Sequence, residues 1–204
     1  MLYNNSLSIF RRSKSNLDYC LLFAGDGYIS IDDLCPFLDH RLDFSFSMEF
    51  KVDFLPSTGY SFLMNSCLIK SDNKIGIALD LSNLYVQIDK GHSVKTELSA
   101  HFSEPGFWHI ISVSNSRGAL SASLDGNQLE SNIPSVSLPG FLGFRIASDA
   151  SGSQNLTGCV NNILLTDLSN PVAQYNLNEG SGTKAFDSIS HYDGSITNGI
   201  WSSL

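Results

Sequence analysis

Between residues 44 and 54 the chain alternates apolar and polar side chains almost without error. Phe44, Phe46, Met48, Phe50, Val52 and Phe54 fall on one side, and Ser45, Ser47, Glu49, Lys51 and Asp53 on the other. Successive side chains of a strand point to opposite faces, so this is a strand with one face in a core and one in water. Such strands belong to the antiparallel sheets of sandwiches and barrels.

Shorter alternations repeat the pattern. Residues 20–23 and 28–31 flank a Gly25-Asp26-Gly27 turn, and a strand near 61–69 follows a turn at 56–59. Ile75, Ile77, Leu79 and Leu81 share one parity, and Leu84, Val86 and Ile88 another, with Ser82-Asn83 as the turn between them. Residues 108–114 and 120–125 form the next pair, and Asp125-Gly126 signals a hairpin returning through 127–130. Further strands are predicted at 142–146, 156–165, 173–178, 184–186 and 195–201. Residues 34–42, with Pro36, read as a loop or a single helical turn. No window of ten or more residues carries a helical stripe. About thirteen short strands with turn signals at this spacing predict one all-β, two-sheet sandwich over residues 19–204. Residues 1–18 have neither period and read as an extended arm that orders against a partner.

At 204 residues, 42% of them hydrophobic, the chain is long and apolar enough for one sizeable core. No run reaches the roughly 18 apolar residues of a membrane span, and residues 1–18 lack the apolar stretch of a secretory signal. Charge is uneven. Arg11, Arg12 and Lys14 against Asp18 give the arm +2, while the rest carries −10, for a total of −8. An acidic body repels phosphate backbones, so nucleic acid is not an expected ligand. The three cations of the arm are candidate assembly contacts, or simply solvated. Cys20, Cys35, Cys67 and Cys159 form no C-x-x-C pair, so zinc-type spacing is missing and free, partly buried thiols are expected.

Four segments in order carry a family resemblance: Leu22-Phe23-Ala24-Gly25-Asp26-Gly27-Tyr28-Ile29; residues 44–52; Phe107-Trp108-His109-Ile110-Ile111-Ser112-Val113 followed by Leu124-Asp125-Gly126-Asn127; and Leu156-Thr157-Gly158-Cys159-Val160-Asn161-Asn162-Ile163. Together they resemble the concanavalin A-like, laminin-G-like jelly-roll superfamily. The segments Tyr175-Asn176-Leu177-Asn178-Glu179-Gly180-Ser181-Gly182, Phe186-Asp187-Ser188 and Tyr192-Asp193-Gly194-Ser195 resemble a C-terminal extension of bacterial and phage members. The resemblance covers about residues 20–201 and implies an antiparallel two-sheet jelly-roll sandwich. Where many members have Asp after the strand glycine, this chain has Asn161-Asn162, which removes charge from a place where calcium is held.

The residues themselves argue for structure before chemistry. His109 shares parity with Ile111 and Val113, so it is expected to face the core and hydrogen-bond the backbone. Trp108 reads as packing at a sheet margin, and Asp26, Asp125 and Asp193 precede glycines, where the side chain suits a turn. Glycoside hydrolases need two carboxyl groups about 5–9.5 Å apart. The five glutamates (Glu49, Glu97, Glu104, Glu130, Glu179) form no such pair on one strand face, and Glu49, Lys51 and Asp53 read as a solvated outer face. No Gly-x-Ser-x-Gly elbow is present. An enzyme is therefore not expected. Calcium takes six to eight oxygens, to which Asp32-Asp33 and the Asp187/Asp193 region are contributors, with no full ligand set assignable.

Two non-enzymatic functions follow from the resemblance. One is carbohydrate recognition, with His191, Tyr192 and Trp201 as candidate ligand residues, or else as caps on the terminal strands. This suits a lectin-like module of a bacterial surface or secreted protein. The other is a phage virion subunit (fibre, tail or capsid decoration) docked through its arm to other virion subunits as a homo-oligomer. It would be assembled in the host cytoplasm, released by lysis, and able to adhere to a host glycan.

Overall fold

The computed structural model describes residues 19–32, 43–67, 73–90, 95–116, 119–131, 143–167 and 170–204. Arg11, Arg12, Lys14, Asp33, Cys35 and the expected loop at 34–42 lie outside them. Every strand pairing is antiparallel, and the described residues contain no helix.

Two sheets face each other. In the first, the order is β10 (Asn127–Gln128), β9 (Ala119–Leu124), β8 (Trp108–Ser116), β3 (Phe44–Val52), β13 (Thr157–Asp167), β1 (Tyr19–Ala24) and β17 (Ile200–Ser203). The long β13 pairs with β1 over its first half and with β14 (Asn170–Tyr175) over its second. In the second sheet the order is β11 (Glu130–Ser131), β7 (Lys95–His101), β6 (Asn83–Lys90), β5 (Asn73–Leu79), β4 (Ser61–Cys67), β12 (Gly143–Ile146), β2 (Tyr28–Ile31), β16 (Gly194–Thr197) and β15 (Lys184–Ala185). This is the expected two-sheet jelly-roll sandwich.

The alternation of β3 delivers Phe46, Met48, Phe50 and Val52 to the core, where they meet Ile75, Ile77, Leu79, Val86 and Leu98 from the second sheet. Phe46 stacks on Phe144 at 6.5 Å and Phe50 on Phe102 at 6.0 Å. Full burial of such side chains contributes about 1.5–3 kcal/mol each. His109 is buried between Phe50 and Phe102, as its parity predicts. Its Nε2 lies 2.9 Å from the Glu104 carbonyl oxygen and its Nδ1 2.7 Å from Asp125 Oδ2. The other Asp125 oxygen accepts the Ile110 N–H at 2.8 Å, which closes the hairpin corner.

Several expectations need correction. Phe54 is 75% exposed because β3 ends at Val52, where the Asp53 N–H turns to the Thr157 carbonyl. Leu81 is 63% exposed because Asp80 ends β5: its Oδ1 accepts the Ser82 and Asn83 N–H groups and starts a turn. Glu49 is only 5% exposed although it points outward, so that face is not uniformly solvated. Strand β7 was not expected. The predicted strand at 195–201 is two strands, β16 and β17, in different sheets. The chain crosses between them at Asn198, whose φ is +50°. The earlier crossing at Gly25-Asp26-Gly27 packs on this corner, and a Cβ on Gly27 would lie 2.7 Å from the Asn198 carbonyl oxygen.

Cys20 and Cys159 are free and buried on adjacent strands. Their shared hydrogen bond and burial push the Cys159 thiol up.

Asp187 holds the C-terminal segment together. Its Oδ1 accepts the N–H groups of Gln174 (2.8 Å) and Ile189 (3.0 Å), and its Oδ2 those of Ser190 (3.0 Å) and Tyr192 (3.1 Å). Replacing it with alanine strands four donors, so Asp187→Ala should lower stability by roughly 2–4 kcal/mol. The expected readout is an earlier urea midpoint at unchanged slope, and an unmoved midpoint would refute the assignment.

Candidate functional site

The outward face of the second sheet carries a cleft of about 370 Å³, lined by Phe62, Asn65, Gly76, Gln87, Asp149, Ala150, Ser151 and Gln154. Its floor comes from register. Asn65 on β4 is opposite Gly76 on β5, and Gly76 is opposite Gln87 on β6. Gly76 leaves the floor bare: a Cβ there would meet Phe62 Cε1 at 3.1 Å and Asn65 Nδ2 at 3.5 Å. A glycine inside a strand marks a place where something approaches the backbone closely.

Phe62 forms one wall. Tyr60 packs against it at 6.4 Å and meets Tyr85 edge-on at 5.9 Å, so three rings share this face. Tyr85 is fixed in turn, its hydroxyl donating to Asp80 Oδ2 at 2.8 Å.

A second wall is the loop that contains Asp149. Its carboxylate accepts the Ser151 N–H (3.1 Å), the Ser153 N–H (2.7 Å) and both serine hydroxyls (2.9 Å each). The loop is tied to β4 by the Phe62 N–H donating to the Gln154 carbonyl at 3.1 Å and by the Ser61 hydroxyl donating to the Asn155 carbonyl at 3.1 Å. Burial would raise the Asp149 acid, but the hydrogen bonds from Ser153, Ser151 and Gln154 outweigh it and hold it below the usual range.

Asn65 is the chemical centre of the cleft. It is 6% exposed, and its side-chain carbonyl oxygen is buried without a hydrogen-bond partner. Leaving such an acceptor unmet costs about 1–3 kcal/mol.

The candidates named from sequence lie elsewhere. Trp201, on β17, packs against the core and donates its Nε1–H to the Gly182 carbonyl at 2.9 Å. Tyr192 also packs against the core, and its carbonyl accepts the Tyr175 hydroxyl at 2.6 Å. His191 is exposed at φ +64°. None of the three lines the cleft. Of the calcium candidates, Asp187 spends both oxygens on backbone N–H groups, and Asp32 Oδ1 accepts from Ser30 (2.7 Å) and from Arg145 (3.3 Å). Among the described residues no group of three or more His, Cys, Asp or Glu side chains could hold a metal ion. The Asn161-Asn162 pair forms a bulge in β13, with Asn162 at φ +40° and its N–H bonded to Asn161 Oδ1.

The fold is that of laminin-G and related concanavalin A-like sandwiches. Domains LG4-5 of the mouse laminin α1 chain superpose with a TM-score of 0.62 at 18% identity, over 78% of this chain and 44% of that one. The chain therefore spans less than half of that laminin fragment. The CBM40 of the Ruminococcus gnavus IT-sialidase gives 0.59 at 9% identity, over 74% and 91%. Domain 4 of AbnA, a GH43 extracellular arabinanase from Geobacillus stearothermophilus in complex with arabinotriose, gives 0.52 at 13%, over 75% and 71%. No protein-family model and no curated protein matches the sequence.

The lowered pKa of Asp149 sets the pH range of its loop. A carboxyl lowered by folding stabilises above its unfolded value, about 3.9, and that contribution is lost as pH falls through the lower folded value. The amide NMR shifts of Ser151 and Ser153 should thus stay constant from pH 8 to 5 and move together below about pH 4. Titration at pH 5 or above would contradict this.

Proposed function

We propose that this domain is a non-catalytic carbohydrate-binding module and that the cleft over Gly76 is its ligand seat. The observation that carries the reading is the unpartnered carbonyl oxygen of Asn65, buried at the floor beside an aromatic wall. Sugars present hydroxyl donors and apolar C–H faces, so they are recognised by a few convergent polar groups next to rings. Asn65, Gln87, Phe62 and its neighbour Tyr60 supply this combination. The likeness in fold to a sialidase CBM40 and to an arabinanase domain solved with arabinotriose supports it.

A glycan array should return saturable ligands. Against the best of them, Asn65→Ala and Phe62→Ala should each weaken binding about tenfold or more, equivalent to about 1.4 kcal/mol. Gly76→Val should do the same by filling the floor and displacing the Phe62 ring, which a Cβ there meets at 3.1 Å, with circular dichroism used to check that the sheet is kept. His191→Ala should leave affinity intact, and loss of binding there would move the seat to the C-terminal segment. An empty array, or binding indifferent to all three cleft variants, defeats the proposal.

We propose further that the module is carried on a phage virion, with residues 1–18 as its dock. The support is the arm's charge, +2 on a chain whose remainder is −10, which suits contact with an acidic neighbour. Deleting residues 2–18 should leave a folded sandwich that no longer enters particles, and normal incorporation of the truncated protein rules the dock out.

A further inference from the structure

The outward side of the first sheet is buried where no described strand covers it. The second sheet packs on the inner side of the first, so it leaves the outward side bare. Cys20 on β1, Cys159 and Asn161 on β13 and Glu49 on β3 have outward parity, and each is 5% exposed or less. Leu22 and Ile110 border them and are half-buried. Among the described residues no hydrogen bond or ion pair reaches the Glu49 carboxylate, and Lys51, the next outward residue of β3, pairs with Asp53 at 3.9 Å. A buried charge is costly unless an opposite charge or donor groups meet it.

Charge, place and reach single out one cover. Residues 1–18 carry Arg11, Arg12 and Lys14 against Asp18, whereas residues 33–42 carry Asp33 and Asp39 against Arg41, and residues 132–142 carry no charge. Leu21 is opposite Val160 and Val160 opposite Phe50, so Cys20 falls in the row of Asn161 and Glu49. The arm therefore joins β1 beside that row. Strand β3 is two strands from β1, about 10 Å. Five to eight residues separate Tyr19 from Lys14 and Arg11, enough for about 17–28 Å of extended chain.

We infer that the outward face of the first sheet is the docking surface for the chain's own residues 1–18, with the basic run at Arg11, Arg12 and Lys14 meeting Glu49. The inference concerns the isolated subunit and stands whether or not the glycan seat and the virion dock do. Leu7, Ile9 and Phe10, next to the basic run, suit Leu22, Ile110 and the two thiols. A tethered segment meets its surface at an effective concentration far above that of a second copy in dilute solution, which favours the chain's own arm.

Alkylation of the full chain by N-ethylmaleimide, read peptide by peptide by mass spectrometry, tests this, because Cys20 and Cys159 belong to the surface. Reversing the arm's charge with Arg11→Glu, Arg12→Glu and Lys14→Glu together should speed alkylation of both thiols about tenfold or more, since losing a local cover opens the groups beneath it. These substitutions lie outside the sandwich. Removing nearby cations by itself would slow a thiol by raising its pKa, so acceleration reports uncovering. Glu49→Lys alone should also speed alkylation, and combined with the arm reversal it should return the rates to within about twofold of the original. Rates that stay level or fall on arm reversal, or that the combined variant fails to restore, overturn the inference. Protection that weakens on dilution places the arm on a second copy and overturns its assignment to its own chain.

Discussion

The constraint on which the site depends is the bulge in β4. On a regular strand, residues three apart face opposite sides of the sheet. Phe62 and Asn65 nevertheless share the outward face, because Phe62 is opposite Ala78 and Met64 is opposite Ile77, which leaves Leu63 as an extra residue. Leu63 and Met64 both turn into the core and are fully buried. A bulge of this kind adds one residue to one strand and redirects the side chains beyond it. Here it sets an aromatic ring and a carboxamide of β4 together beside the glycine of β5. The Phe62 N–H, beside the bulge, donates to the Gln154 carbonyl, so the loop that forms the second wall is anchored next to the same irregularity.

Much of the sandwich was legible because its signals are periodic. The stripe from Phe44 to Val52 and the parity of His109 each record a side chain's direction, and burial follows direction. Legibility failed where a carboxylate ends a strand. Leu81 continues the parity of Leu79, yet Asp80 captures the next two N–H groups and turns the chain out of the sheet. The cleft was illegible for a related reason. The sequence Ser-Phe-Leu-Met-Asn-Ser-Cys of β4 has no period, because the bulge breaks it. The loop wall comes from some eighty residues further along the chain and is joined by backbone hydrogen bonds that no side-chain pattern records. Two signals were available: a lone glycine between Ile75 and Ile77, and the Asp149-x-Ser151-x-Ser153 spacing.

The aspartates also bear on why an acidic chain need not be a hydrolase. Asp80, Asp125, Asp149 and Asp187 each accept backbone N–H groups at a strand end or turn, which accounts for these four carboxylates in terms of backbone satisfaction. A general acid in glycoside cleavage must carry a proton near neutral pH, which requires a raised pKa. Folding moves Asp80 and Asp149 the other way, despite desolvation, because their hydrogen bonds stabilise the ionised form. Asp149, the carboxylate that lines the cleft, is therefore an acceptor locked to its own loop and poorly suited to donate a proton. A groove with rings, an unmet carboxamide oxygen and a carboxylate held in its charged state suits the proposed role of holding a sugar better than that of cutting one.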